Sequence, residues 1–173
     1  LLVAGEAARS DNKVFYPCNP ELMPLRKDWW HDVPHRPKGP HHGKPGQRTT
    51  GPSMPEHRPD CILNVRGLEG APDCPYDGDP EPMKIDVDFS TRFGLTRIGI
   101  HHQRLLPGHR SSYPHAESKE EEFVFILEGG ADACIDGWLH RVREGDAVAF
   151  PAGTGITHNI INNGDADMRM MVI

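Results

Sequence analysis

The chain has little that would support a helical protein. Its 173 residues include 17 prolines and 18 glycines, and each of these removes either a backbone donor or helix stability. An all-α bundle is excluded. Positive charge is also short, with 19 basic residues against 25 acidic ones and a formal charge of −6. Gripping a phosphate backbone requires Lys and Arg to replace counterions, so nucleic acid is excluded as a partner. No apolar run approaches the roughly 20 residues that cross a bilayer, and no membrane partner is expected. The opening Leu1-Leu2-Val3-Ala4-Gly5-Glu6 is too short an apolar stretch and lacks the basic flank of a signal peptide. Cys18, Cys61, Cys74 and Cys134 form no Cys-x-x-Cys pair, which argues against a zinc ribbon or a dense disulfide framework. Reduced thiols in a soluble, cytoplasmic protein are the expectation. Nucleophile elbows, phosphate loops and dinucleotide fingerprints are missing too, because Gly153-Thr154-Gly155 follows a strand pattern but opens no helix.

What is present divides by composition near residue 60. Ten of the 17 prolines lie between Pro17 and Pro59, together with His31, His35, His41, His42 and His57. We read residues 1–60 as an extended Pro/Gly/His-rich arm and residues 61–173 as the folded body with its lead-in strands. Trp29 and Trp30 argue that the arm docks on something, because adjacent exposed indoles are costly; a sheet of the same barrel or of a partner copy is the expected surface. Beyond residue 60 the sequence turns to short alternating or apolar runs bounded by turn residues, the pattern of an all-β sandwich or barrel. Strands are predicted over 61–65, 84–89, 95–106, 122–128, 131–135, 139–142, 147–150, 158–161 and 168–173. Asp136-Gly137 and Asn163-Gly164 suit tight hairpins that need a positive φ.

Two blocks carry chemistry. In the first, Pro114-His115-Ala116-Glu117 is followed by Glu122-Phe123-Val124-Phe125-Ile126. Residues two apart in an extended chain share a face, so His115 and Glu117 can converge on one point, and Glu122 heads an inward stripe with Val124 and Ile126. The second block, Gly145 to Asn162, supplies His158. On the predicted strand 95–106, His102 shares a face with Ile98 and Ile100 and can line the interior, as a general base or as a hydrogen-bonded core histidine. Tyr113 has the parity of His115 and Glu117, and is either an acid or a cover over the barrel mouth. Glu120 and Glu121 beside Lys119 read as a solvated loop, and Phe150 and Trp138 as packing.

These two blocks resemble the two motifs of the cupin superfamily. Gly108, His115-Ala116-Glu117, Glu122 and Gly129 match the first; Gly145, Pro151-Ala152-Gly153, His158 and Asn162 match the second, with a gap before His158 two residues longer than usual. The chain looks most similar to the small cupin-domain proteins of bacteria and fungi. The resemblance covers about residues 84–173 and implies a double-stranded β-helix, the cupin or jelly-roll barrel. It also implies a divalent metal held by His115, Glu122 and His158, with Glu117 as fourth partner where the family has a second His. Two imidazoles and two carboxylates suit Mn, Fe(II), Zn or Ni. The implied function is metal-assisted chemistry on a small oxygen-rich metabolite, a sugar or organic acid, with Glu117 or His102 as general base; the alternative is a small-molecule binding or sensing module with a relic site. A homodimer is expected by the same resemblance. Finally, Leu1–Glu6 resembles the strand that ends the chain, and the features that follow the last strand in small cupins here precede the barrel. The expectation is a slice of a longer tandem protein, with Leu1–Val3 pairing near the open strand edge.

Overall fold

A computed structural model of the chain describes residues 59–173. The expectations placed on the arm, on Trp29 and Trp30, and on Leu1–Val3 fall outside the described residues. Within these, eight strands and one short helix follow in order: β1 (Ile85–Asp88), α1 (Phe89–Phe93), β2 (His101–Leu105), β3 (Glu122–Glu128), β4 (Gly130–Ile135), β5 (Trp138–Arg143), β6 (Ala147–Phe150), β7 (His158–Ile161) and β8 (Met168–Val172). They form two antiparallel sheets, β1-β2-β8-β3-β6 and β5-β4-β7. The expected all-β double-stranded β-helix is what the described residues adopt.

Alternation along each strand builds the core between the sheets. Val124 and Ile126 of β3, Leu105 of β2 and Met168 and Met170 of β8 point inward, where they meet Ala131, Ala133, Val142 and Ile160 of the smaller sheet, all buried. Each large apolar side chain removed from water in this way contributes about 1.5–3 kcal/mol before the opposing entropy. Phe123, Phe125 and Leu127 take the outward positions of β3 and are 37–39% exposed. The hairpin between β4 and β5 turns on Asp136 (φ 53°) and Gly137 (φ 82°), the two left-handed positions that a tight Asp-Gly hairpin requires.

Two predicted strands are corrected. Residues 61–65 form no strand; the segment ends in a 3₁₀ turn, Val65–Gly67, capped by the Asn64 side chain accepting from the Arg66 amide at 3.0 Å. The predicted strand 95–106 is pairing-competent only over His101–Leu105. Upstream of it, Asp88 accepts from Thr91 N at 3.0 Å and caps α1, and Gly94 closes the helix in the left-handed region. This cap diverts the chain before Leu95, so Ile98 and Ile100 stand outside the ladder. No helix among the described residues is long and apolar enough to cross a membrane. Cys61, Cys74 and Cys134 are free thiols.

Candidate metal centre

His115, Glu122 and His158 come together at one end of the space between the sheets. One ligand atom from each lies within 4.8 Å of the others. His115 and His158 are brought opposite one another by a reciprocal backbone pair, His158 N donating to His115 O at 2.8 Å and His115 N to His158 O at 3.2 Å. Their rings then sit 4.9 Å apart, as cross-strand neighbours do. Glu122 arrives from the other sheet, at the inward start of β3, and its Oε1 is 3.7 Å from His158 Nε2. Phe150, the register partner of Glu122, stacks flat on the His158 ring at 3.6 Å and 4°, which fixes the plane of the imidazole. Phe150 therefore packs, as expected, but on a site residue.

The ring nitrogens are sorted by their backbone partners. His115 Nδ1 donates to Tyr113 O at 2.9 Å, with Ser112 Oγ 3.2 Å away. His158 Nδ1 lies 3.3 Å from Ile156 O, to which it donates. Both Nδ1 atoms thus carry the proton, and both Nε2 lone pairs are free for a Lewis acid. His158 Nε2 is buried and has no hydrogen-bond partner, on a residue only 2% exposed. A buried orphan acceptor is costly unless something completes it. A cation placed against this nitrogen, His115 Nε2 and a Glu122 oxygen would meet the oxygen and nitrogen donors that suit a borderline divalent metal, each imidazole already oriented by a carbonyl. The residues present fit such a metal.

Glu117 lies beside the cluster, its Oε1 3.5 Å from His115 Nε2, half-buried at the rim. The other expected residues stand elsewhere. His102 is buried on the opposite face of β2, because the ladder pairs it with Val87 and Met171; its Nδ1 lies 3.9 Å from Glu69 Oε1. Burial, with the nearby Arg169 charge, holds its pKa below the ordinary imidazole value. Tyr113 turns its hydroxyl to the carboxylate of Asp79, with Glu81 Oε2 at 3.5 Å, and packs its ring on Tyr76 and under the Arg110 guanidinium. The hydrogen bond to Asp79 raises the phenol pKa, and Tyr113 is not among the cavity-lining residues. Asn162 also lies outside the cluster: it is fully buried, donates to Leu105 O and Ala166 O at 2.9 Å each, and accepts from Gly164 N at 3.0 Å. It pins the turn before β8.

A cavity of about 210 Å³ opens beside His115 and Glu122, with Lys84, Gln103 and Ser112 among its polar lining and Val124, Met170 and Val172 among its apolar lining. Lys84 and Gln103 were missed in the sequence. Counting alternation back from the buried Leu105, rather than forward from Ile98, places Gln103 inward and His102 outward.

Comparison with known proteins agrees with this architecture. Residues 101–173 match the family model of the cupin domain. The chain is 26% identical over 110 residues to the polyketide synthase CurC of Streptomyces cyaneus, across 64% of this chain and 66% of that one. Among solved structures, a sugar phosphate isomerase from a cupin superfamily of Silicibacter pomeroyi is 32% identical, covering 51% of this chain and 57% of its own with a TM-score of 0.50. The polyketide cyclase RemF of Streptomyces resistomycificus is 21% identical with a TM-score of 0.52, covering 64% of this chain and 77% of its own, and shares the fold. The chain thus spans somewhat under two thirds of the length of the first two relatives. Two antiparallel sheets, the positions of the motif glycines, proline and asparagine, and the family match over 101–173 together identify a cupin domain over those residues.

Proposed function

We propose that the cavity is a metal-dependent active site in which His115, Glu122 and His158 hold one divalent cation, Mn, Fe(II), Ni or Zn, and that its substrate is a small oxygen-rich metabolite, a sugar or organic acid. The observation that carries this reading is the buried, unpartnered Nε2 of His158, with its ring clamped by Phe150 and its Nδ1 committed to Ile156 O. A bound cation supplies Lewis-acid stabilisation of charge developing on a substrate oxygen. The protein's own part is orientation and proton handling. The carbonyls of Tyr113 and Ile156 fix the imidazole tautomers, Val124, Met170 and Val172 keep water from one wall, and the Glu117 carboxylate at the rim accepts the substrate proton. A cavity of about 210 Å³ falls below the roughly 300–1,000 Å³ of sites for drug-sized ligands, which favours a few-carbon substrate over a polycyclic one. The isomerase relative, named for sugar phosphates, supports the same size class. A reduced, cytoplasmic homodimer belongs to this reading, supported by the free thiols and by the outward row Phe123, Phe125 and Leu127; sedimentation of a strict monomer at micromolar concentration overturns the dimer.

Elemental analysis of untreated protein tests the metal. The expected result is about one divalent ion per chain, lost in His115→Ala and His158→Ala. Re-addition to chelator-treated protein at a hundredfold excess over Kd then stabilises the wild type by about 2.7 kcal/mol, read as a rise in Tm. Absence of metal, with no thermal shift from any of the four ions, overturns the reading. Glu117→Gln is expected to keep the metal and lose turnover. A binding or sensing module is the second reading; what favours it is that Glu117 stands where the family has an imidazole yet lies outside the three-residue cluster. Retained ligand binding without metal selects it.

A further inference from the structure

The cavity lining carries two polar side chains that no fold interaction uses up. Gln103 is 6% exposed and its Oε1 is buried without a hydrogen-bond partner, although the side chain lines the cavity. Lys84 lines the same cavity; its Nζ donates to Ser111 O at 3.1 Å, and no carboxylate pairs with it among the described residues. An ammonium has three donors and no acceptor, so two remain for a ligand. A half-buried ammonium without a counter-ion and a buried amide oxygen without a donor both cost free energy until a ligand completes them. One monoanion answers the first and one hydroxyl the second.

We propose that Lys84 and Gln103 form a recognition subsite for a small hydroxycarboxylate, with the carboxylate on Lys84 Nζ and a hydroxyl donating to Gln103 Oε1, the rest of the molecule extending toward His115 and Glu122. The proposal rests on the reading of this cavity as the ligand site and names the substrate class within it. Lys84 is the one lysine or arginine in the lining of this cavity, and a single ammonium matches a monoanionic carboxylate better than a phosphate dianion. The register supports the placement: β1 and β2 pair Asp86 with Gln103, and Lys84 has the parity of Asp86, so Lys84 and Gln103 share the inward face.

The test uses four probes, glycerate, glycerol, propanoate and inorganic phosphate, titrated calorimetrically at millimolar concentration into metal-loaded and chelator-treated protein. Glycerate is expected to bind about tenfold or more tighter than glycerol, which lacks the carboxylate, and than propanoate, which lacks the hydroxyls, as hydrogen bonds to charged or buried partners imply. Lys84→Met should erase the advantage over glycerol, and Gln103→Leu the advantage over propanoate. Lys84→Arg, which keeps the charge, should retain most of the glycerate affinity and shows that the loss in Lys84→Met is not a folding defect. Unchanged glycerate affinity in Lys84→Met, phosphate binding tighter than glycerate, or binding of none of the four each overturns the proposal. If the protein takes up no metal and still binds glycerate through Lys84, the metal reading falls and the subsite stands. If metal binds and Lys84→Met is silent, the subsite alone falls.

Discussion

At the scale of single residues, the adjacent histidines of β2 illustrate how one ladder position decides chemistry. His101 points to the inward face of the sheet, where its Nδ1 donates to Asp86 Oδ2 at 2.9 Å. That hydrogen bond raises its pKa against the opposing effect of burial, with the charges of Asp86 and Asp88 adding and that of Lys84 subtracting. His102 points the other way and is lowered by burial and by Arg169, against the attractions of Glu69 and Asp86. The two contribute opposite pH dependence to folding. A raised folded pKa means that the His101 contribution is fully present below the unfolded value of about 6.5 and is lost as pH rises through the folded value. A lowered folded pKa means that the His102 contribution is present above about 6.5 and is lost as pH falls through its folded value. Urea midpoints measured across this range are expected to lose their alkaline decline in His101→Gln and part of their acid decline in His102→Gln. A His101→Gln profile superimposable on the wild type contradicts the first assignment.

Among the elements, β3 does the most to set the site, because its inward stripe runs from Glu122 through Val124 and Ile126. The stripe ends at a register shift between Ile126 and Glu128 in the pairing with β8, after which Gly129 turns the chain into β4. Gly129 has φ 79°, and a Cβ there would lie 2.9 Å from the Asp167 carbonyl oxygen and 3.3 Å from Met168. Both the backbone region and the backbone neighbour exclude a side chain. Gly129→Ala is therefore expected to destabilise by about 1–3 kcal/mol, read as a lower denaturant midpoint with unchanged slope. At Gly137, which has φ 82° and open space where a methyl group would stand, the same substitution meets only the conformational cost and is the milder of the two.

On the scale of the whole described body, the segment before β1 is tied to the outer face of the larger sheet by one carboxylate. Glu69, whose side chain is 11% exposed, accepts from Arg169 Nη1 and sits 3.4 Å from Arg104 Nε. Burial pushes its pKa up, but the hydrogen bond and charge of Arg169, with the charges of Arg104 and His102, outweigh it and leave the pKa lowered. Its contribution is present above the unfolded value of about 4.3 and is lost as pH falls through the folded one. Arg104 keeps Asp167 and Arg169 keeps Glu128 as further partners, so Glu69→Gln is expected to cost about 1–3 kcal/mol rather than the larger penalty of an isolated buried charge. Among the described residues, limited proteolysis should then cut first between residues 60 and 72, while the barrel strands stay protected. Equal protection of that segment in wild type and variant would show that Glu69 does not hold it.

Much of this was legible in the sequence because the signals are local. Alternating apolar residues determine which face of β3, β6 and β8 turns inward, Asp136-Gly137 determines a tight hairpin, and the resemblance of the two blocks to the family's motifs marks His115, Glu117, Glu122 and His158 as candidate ligands before any contact is known. What the sequence could not decide depends on which strand lies beside which. Whether His102 or Gln103 faces the cavity depends on which end of residues 95–106 the alternation is counted from, Ile98 or Leu105, and the Asp88 cap and Gly94 upstream leave Ile98 and Ile100 outside the ladder. Tyr113 has the right parity for the cavity but is claimed by Asp79 and Glu81, more than thirty residues earlier in the chain. Glu117 has the right parity for the cluster, yet the bridge that aligns His115 with His158 leaves it at the rim. Periodicity thus determined an all-β sandwich or barrel and its inward-facing carboxylate, whereas membership of the cavity was decided by long-range pairing, since a one-residue difference in register exchanges the two faces of a strand.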